Sequence, residues 1–211
     1  IVFQEPSASF NPLFSVGKQI AEVIRTHEKN VSPKEAIDRA TELFRQVRIP
    51  HPEIRVHYYP FQFSGGMLQR ALIALSLACS PRILFADEPT TALDVTIQAQ
   101  IIDLLKKINN QLATAIILIS HDLGVIAGLC SRVIVMYAGM IVESADIDIL
   151  FSNACHPYTR GLLNSIPRLD KKKSKLYSIS GQPPNLLTPP TGCSFLPRCK
   201  FAMNICKTAP P

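Results

Sequence analysis

The sequence predicts an α/β fold, a parallel sheet core with helices packed against it. Three observations carry the prediction. Ile83–Ala86 is an apolar run ending in Asp87-Glu88. Thr114–Ile119 is a second, β-branched run, ending in Ser120-His121-Asp122. Helical patterns lie before, between and after the two runs. Short apolar runs bounded by turn formers read as buried strands. Parallel strands are near-continuous apolar runs because helices cover both faces of the sheet.

The elements follow in chain order. Ile1–Gln4 reads as the end of a strand, and prolines at 6 and 12 make the next stretch a loop. Val16–His27 is a predicted helix with Val16, Ile20, Val23 and Ile24 on one face. A second helix starts at Ser32, a predicted N-cap, with Pro33 at the first position and Glu35 completing a capping box. Its stripe of Ala36, Ile37, Ala40, Leu43, Phe44 and Val47 runs to about Arg48. Tyr58–Phe63 is a loop, and Ser64 can cap a helix reaching about Cys79. Asp94 can cap another over Val95 to about Leu112. A helix follows over Leu123–Cys130. Arg132–Tyr137 and Met140–Glu143 form a hairpin around Ala138-Gly139, expected at the sheet's edge. Asp146–Phe151 and Tyr158–Ile166 are short helices. From Leu169 the composition becomes lysine- and proline-rich, too irregular to join the sheet domain.

The totals set bounds. At 211 residues, one large domain plus a small appendage is expected. An apolar share of 47% supplies a sizeable core. The net charge of +6 admits nucleic acid or a membrane surface as partner. Much of it is local, in Lys171, Lys172, Lys173 and Lys175, where a solvated linker and a binding patch are both open. No apolar stretch reaches the roughly 18 residues of a membrane span, and no signal peptide is visible. Six cysteines read as thiols or metal ligands more than disulfides. Cys193, Cys199 and Cys206, spaced C-x5-C-x6-C, admit zinc, an iron–sulfur cluster or free thiols. Cys79, Cys130 and Cys155 read as buried or incidental thiols. The chain opens at Ile1, inside a strand pattern, and reads as a fragment.

The chemistry gathers at strand ends. Asp87 and Glu88 fall at a carboxyl edge, where open α/β sheets bind ligands. Asp87 can hold Mg²⁺, which prefers oxygen ligands, and Glu88 can polarise a water that attacks phosphorus. Gln4 could contact a metal or water, or be a loop-edge amide. Ser64-Gly65-Gly66 combines a helix N-terminus with two residues lacking a Cβ, so it can approach an anion or be an ordinary cap. His121 is placed to touch a γ-phosphate.

FQEP, FSGGMLQR, ILFADEPTTALD and ISHD, in that order, resemble the nucleotide-binding domain of ABC transporters. The resemblance implies a P-loop NTPase fold with a helical signature subdomain. It also implies roles. Glu88 would be the general base and Asp87 would bind Mg²⁺ through water. Gln4 would contact Mg²⁺ and the attacking water, and His121 the γ-phosphate. Ser64, Gly65, Gly66 and Met67 would bind ATP held mainly by a partner subunit. Asp94 would communicate across a head-to-tail dimer. The expected division is a partial nucleotide-binding domain over 1–168, with the signature subdomain at about 12–80 and the core over 81–168. An extension covers 169–211.

FQEPSASFNPLFSVGKQI, DEPTTALDVTIQAQI, HPYTRGLLNSIP and GCSFLPRC resemble the ATPase subunits of oligopeptide/dipeptide importers, with nickel and glutathione importers sharing much of the pattern. That likeness implies ATP and Mg²⁺ as cofactors, a second ATPase subunit and two membrane permeases as partners, and indirect service of a peptide-binding protein outside the membrane. Nucleic acid is not expected as a partner. The place would be the cytoplasmic face of the cell membrane. The resemblance also implies a [4Fe–4S] site, with Cys193, Cys199 and Cys206 as three of its four ligands. The chain departs from the family in three places. It contains no GxxGxGK[ST] phosphate loop, without which it is expected to be inactive alone. Ser131 replaces the usual Asp, and Ala154 the usual Pro. A soluble ATPase acting on nucleic acid or ribosomes, and a non-hydrolytic remnant, are the alternatives.

Overall fold

The computed structural model describes residues 1–166, 178–188 and 190–209. The four lysines at 171–175 lie outside them. The described residues fall into two compact units, Ile1–Leu129 and Cys130–Pro211.

In the first unit, helices α1 (Val16–His27) and α2 (Pro33–Gln46) form a hairpin. Val16, Ile20 and Ile24 recur every four residues, so one stripe of α1 is buried. Ser32 starts α2 by accepting a bond from the Glu35 N–H at 3.2 Å. A short helix, α3 (Pro52–Arg55), was not legible in the sequence. It is a single turn begun by His51 at φ 50° and Pro52, too brief for a periodic signal. Helix α4 (Gly65–Leu77) is buried along most of its length. Residues Pro6–Ser9, expected as loop, form one 3-10 turn, which the fixed φ of Pro6 favours.

Strands β1 (Ile83–Asp87) and β2 (Ala115–Ile119) pair in parallel, with Asp87 opposite Ile119. The segment between them includes helix α5 (Val95–Leu112). Val2 bridges Ala86 on β1's other side, through Val2 N–H to the Phe85 carbonyl at 2.8 Å and Asp87 N–H to the Val2 carbonyl at 2.9 Å. The core packs Leu84 and Ala86 with Ile101, Leu104, Leu105, Leu72, Ile73 and Phe44. Full burial of each such large side chain contributes about 1.5–3 kcal/mol. Burial on both faces of the strands was expected, and the structure corrects this. Ile1, Phe3, Ile83, Phe85, Ile117 and Ile119 are each between 42% and 61% exposed. The core lies on one side only, because alternate residues of a strand point to opposite faces. Helix α6 (Leu123–Leu129) ends the unit.

The second unit carries strands β3 (Arg132–Tyr137) and β4 (Met140–Asp146), an antiparallel hairpin. Ala138 at φ 50° and Gly139 at φ 79° make its two-residue turn, the left-handed pair that matches strand twist. The hairpin was expected at the edge of the parallel sheet. It forms a separate two-stranded sheet among the described residues. Helices α7 (Ile147–Asn153) and α8 (Pro157–Asn164) follow. A small aromatic cluster joins Tyr137, Tyr158 and Phe195, with Cys193 buried among them. Arg198 ties the tail to this cluster, donating to the Tyr137 hydroxyl at 3.2 Å and the Ile179 carbonyl at 2.9 Å. No helix among the described residues is long and apolar enough to cross a membrane.

Candidate active site

Glu88 stands where β1 turns away from the sheet. Its φ of 45° is left-handed, an unusual state for a residue with a Cβ. Two bonds hold it there. The Glu88 N–H donates to the Ile119 carbonyl at 2.9 Å, and its own carbonyl accepts from Thr91 N–H at 3.1 Å. The turn aims the carboxylate at the ends of three neighbouring chain segments. Oε2 accepts from Gln4 Nε2 at 3.0 Å and from the Thr91 hydroxyl at 2.8 Å. Oε1 meets His121 Nδ1 at 2.9 Å. Residues 4, 88 and 121, far apart in sequence, thus share one carboxylate. The bond from His121, and then that from Thr91, hold the Glu88 carboxyl below its usual range.

Thr91 is the residue that sequence reading missed. Its signal was present, a hydroxyl three residues after a strand-end acid, but a turn hydroxyl has no sequence feature that says which acceptor it reaches. Asp87 ends β1 half-buried, beside Glu88 and next to the Val2 bridge. Asp87 and Glu88 are adjacent at this edge and Gln4 is bonded to Glu88, so these three residues carry oxygen donors of the kind Mg²⁺ prefers. Asp122, beside His121, caps α6. Its Oδ1 accepts from the Gly124 and Val125 N–H groups at 2.8 and 3.3 Å, and its Oδ2 from Gln98 Nε2 at 3.1 Å. Burial opposes its ionisation, but these bonds prevail and hold its carboxyl below the usual range.

A second feature lies on α4. Ser64 Oγ accepts from Met67 N–H at 3.4 Å, the cap read from the sequence. Ser64, Gly65, Gly66, Met67 and Asp94 line one open cavity of about 500 Å³. The two glycines differ in what they do for the fold. A Cβ on Gly65 would meet nothing within 4 Å, whereas one on Gly66 would lie 2.7 Å from Ile97 Cγ2. Gly66 therefore serves the packing of α4 on α5, which its sequence position did not reveal. Gln69 and Arg70 are buried, at 2% and 7% exposure, yet Arg70 is also part of the lining of this cavity. Asp94 caps α5, accepting from Ile97 N–H at 2.9 Å.

Cys193, Cys199 and Cys206 gather around the Tyr137–Phe195 cluster, and the Cys193 N–H donates to the Cys206 carbonyl at 2.8 Å. All six cysteines are free thiols. Among the described residues, no three His, Cys, Asp or Glu side chains converge so as to hold a metal ion. The three thiols as arranged do not converge on a common metal position. Cys79 and Cys155, read as buried or incidental, are exposed, and Cys130 is half-buried.

Comparison with known proteins points to one kind of relative. The ABC transporter family profile matches residues 1–91, and the profile "Oligopeptide/dipeptide transporter, C-terminal region" matches residues 142–206. The oligopeptide transport ATP-binding protein OppD of Salmonella typhimurium is 49% identical over 211 residues, 100% of this chain and 63% of that protein. The dipeptide transport ATP-binding protein DppD of Lactococcus lactis is 51% identical over 205 residues, covering 97% of this chain and 59% of that protein. The chain thus spans about 60% of the length of these relatives. Among solved structures, the ATP-binding cassette MJ0796 in a dimeric post-hydrolysis state with ADP and Pi superposes with a TM-score of 0.60. It is 29% identical and covers 69% of this chain and 61% of that one. CbiO1 of Clostridium perfringens, part of an ABC transporter complex, gives 0.63 at 25% identity, covering 72% and 58%. In motifs, cassette fold and C-terminal region alike, the chain is similar to the ATP-binding proteins of the ABC transporters, in their oligopeptide/dipeptide family.

Proposed function

We propose that this chain is the catalytic-carboxylate and signature portion of an ATPase subunit that drives peptide import. The observation that carries the reading is the Glu88 carboxylate, bonded to Gln4, Thr91 and His121 at the edge of a parallel sheet. A carboxylate so held can orient a water and accept its proton as the water attacks the γ-phosphorus. His121, 74% exposed in its side chain, is free to swing from Glu88 Oε1 towards a phosphate oxygen. That swing frees the oxygen on which the proton lands. Asp87 and the Gln4 amide oxygen would hold Mg²⁺, which would neutralise charge on the phosphates. Ser64, Gly65, Gly66 and Met67 would receive the γ-phosphate of ATP bound chiefly by a second ATPase subunit, at the positive end of α4. Asp94, on the same cavity, would report dimer closure.

The partners in this reading are that second subunit, two membrane permeases and, indirectly, a peptide-binding protein. The subunit would sit peripherally on the cytoplasmic face of the membrane. The division at 168/169 into cassette and extension belongs to the same proposal. So does a [4Fe–4S] cluster on Cys193, Cys199 and Cys206, which their common cluster favours and their present arrangement opposes. Visible absorption from anaerobically purified protein would support the cluster, and a colourless protein with stoichiometric zinc would overturn it. No step above depends on it.

The test is Glu88→Gln in the full-length gene product carrying this chain, assembled with its membrane subunits. ATP binding should persist while turnover falls by about 10²–10⁴-fold, the range for a lost general base. Undiminished turnover would remove Glu88 from its role.

A further inference from the structure

Helix α5 begins six residues after Glu88 with the cap Asp94, and two of its glutamines make bonds that the reaction described above does not use. Gln98 Nε2 donates to Asp122 Oδ2 at 3.1 Å. Gln100 Oε1 accepts from Arg70 Nη2 at 2.9 Å. Residues two apart on a helix point about 200° apart at 3.6 residues per turn. The two amides therefore reach opposite sides of α5, one towards the His121 loop and one towards α4.

Each bond ends on a group that is already committed. Asp122 spends its other oxygen capping α6, so Gln98 pins the loop whose preceding residue is His121. Arg70 is 7% exposed, and its Nη1 donates to the Val47 carbonyl at 2.8 Å. Gln100 supplies an acceptor for the remaining arm of this buried cation, and leaving such an arm bare is costly. Further contacts keep α5 against its neighbours. Ile97 packs where a Gly66 Cβ would go, and Arg48 pairs with Asp103 at 3.1 Å.

We propose that Gln98 and Gln100 are positioning residues that make α5 the strut between the Glu88–His121 centre and the signature cavity. Gln98 sets where His121 stands. Gln100, through Arg70, sets where Ser64 and Gly66 stand. A shift of α4 when ATP is engaged then moves the His121 loop with it, because one rigid helix carries both amides. The inference rests on the ATPase reading above.

The experiment uses the full-length protein in its assembled complex, with Glu88→Gln prepared alongside. Gln98→Leu should lower kcat by about 10–100-fold, the scale of a small misplacement of a catalytic group, with KM for ATP unchanged. It should also speed amide hydrogen exchange across residues 121–126. Gln98→Glu, facing Asp122, should do the same. Gln98→Glu with Asp122→Asn should restore both readouts, since the Asn amide can then donate to Glu and its oxygen still caps α6. Gln100→Leu should raise KM for ATP, and Gln100→Glu, which keeps an acceptor for Arg70, should stay native. Turnover by Glu88→Gln overturns the ATPase reading alone, and the exchange data then decide the strut. Native kcat, KM and exchange in both Leu variants overturn the strut. So does a general loss that neither the swapped pair nor Gln100→Glu rescues.

Discussion

Glu88 shows how one backbone angle sets a site. At φ 45° its side chain leaves the strand direction and meets Gln4, Thr91 and His121 together. The donors on its oxygens stabilise the anion, so its carboxyl titrates below the usual range, with His121 first and Thr91 second in effect. A depressed folded-state value adds folding stability at pH above the unfolded carboxyl range, and that stability is lost as pH falls through the folded value. The same sign governs catalysis. Thr91→Val removes one donor, raises the Glu88 value and moves the acid limb of kcat/KM to higher pH. Thr91→Ser keeps the hydroxyl and the native profile. A pH–rate series on the assembled transporter checks this, and an unmoved limb in Thr91→Val would exclude Thr91 from tuning Glu88.

At the scale of elements, α4 and α5 meet so closely that adjacent glycines have different consequences. Gly66→Ala places a Cβ 2.7 Å from Ile97 Cγ2, on a β-branched side chain with little rotamer freedom. Overpacking of this kind costs about 1–3 kcal/mol. Gly65→Ala meets nothing and should leave stability within about 0.5 kcal/mol of native. Denaturant melts of the two variants measure the contrast. If Gly65→Ala keeps its stability yet loses ATP-driven dimer closure, the loss reports ligand approach at that position and not folding. Strand and helix identities were largely legible from pattern: α1 has the same ends in sequence and structure, and the Ser64 and Asp94 caps form as read. The short α3 was not, because one turn offers no period. The independence of the β3–β4 hairpin was not either, because a hairpin's own pattern is silent on which sheet it joins.

The whole molecule carries a bare apolar sheet face in its first unit. Ile1, Phe3, Ile83, Phe85, Ile117 and Ile119 form it, in a parallel arrangement that proteins ordinarily cover on both sides. Exposed patches of this kind drive association. The 211-residue chain on its own should therefore self-associate at micromolar concentration, and Phe85→Ser with Ile117→Ser should reduce it. Light scattering across a dilution series measures both, and a monomer throughout would contradict the expectation. The same chain holds no GxxGxGK[ST] loop. It should hydrolyse ATP no faster than its Glu88→Gln variant in a phosphate-release assay.

The residues taken in order were enough for the α/β class, the strand-end acids, the signature helix and the family resemblance. These are local matters, set by hydrophobic period, capping residues and short motifs that act over a few positions. Three features needed the folded chain. One is the meeting of Gln4, Thr91 and His121 on a single carboxylate. Another is the close fit of Gly66 against Ile97, where a Cβ has no room. The third is the opposite reach of Gln98 and Gln100. Each depends on atoms brought together from distant parts of the chain or on a side chain's direction. Such contacts arise only when the strands pair and α5 packs against its neighbours.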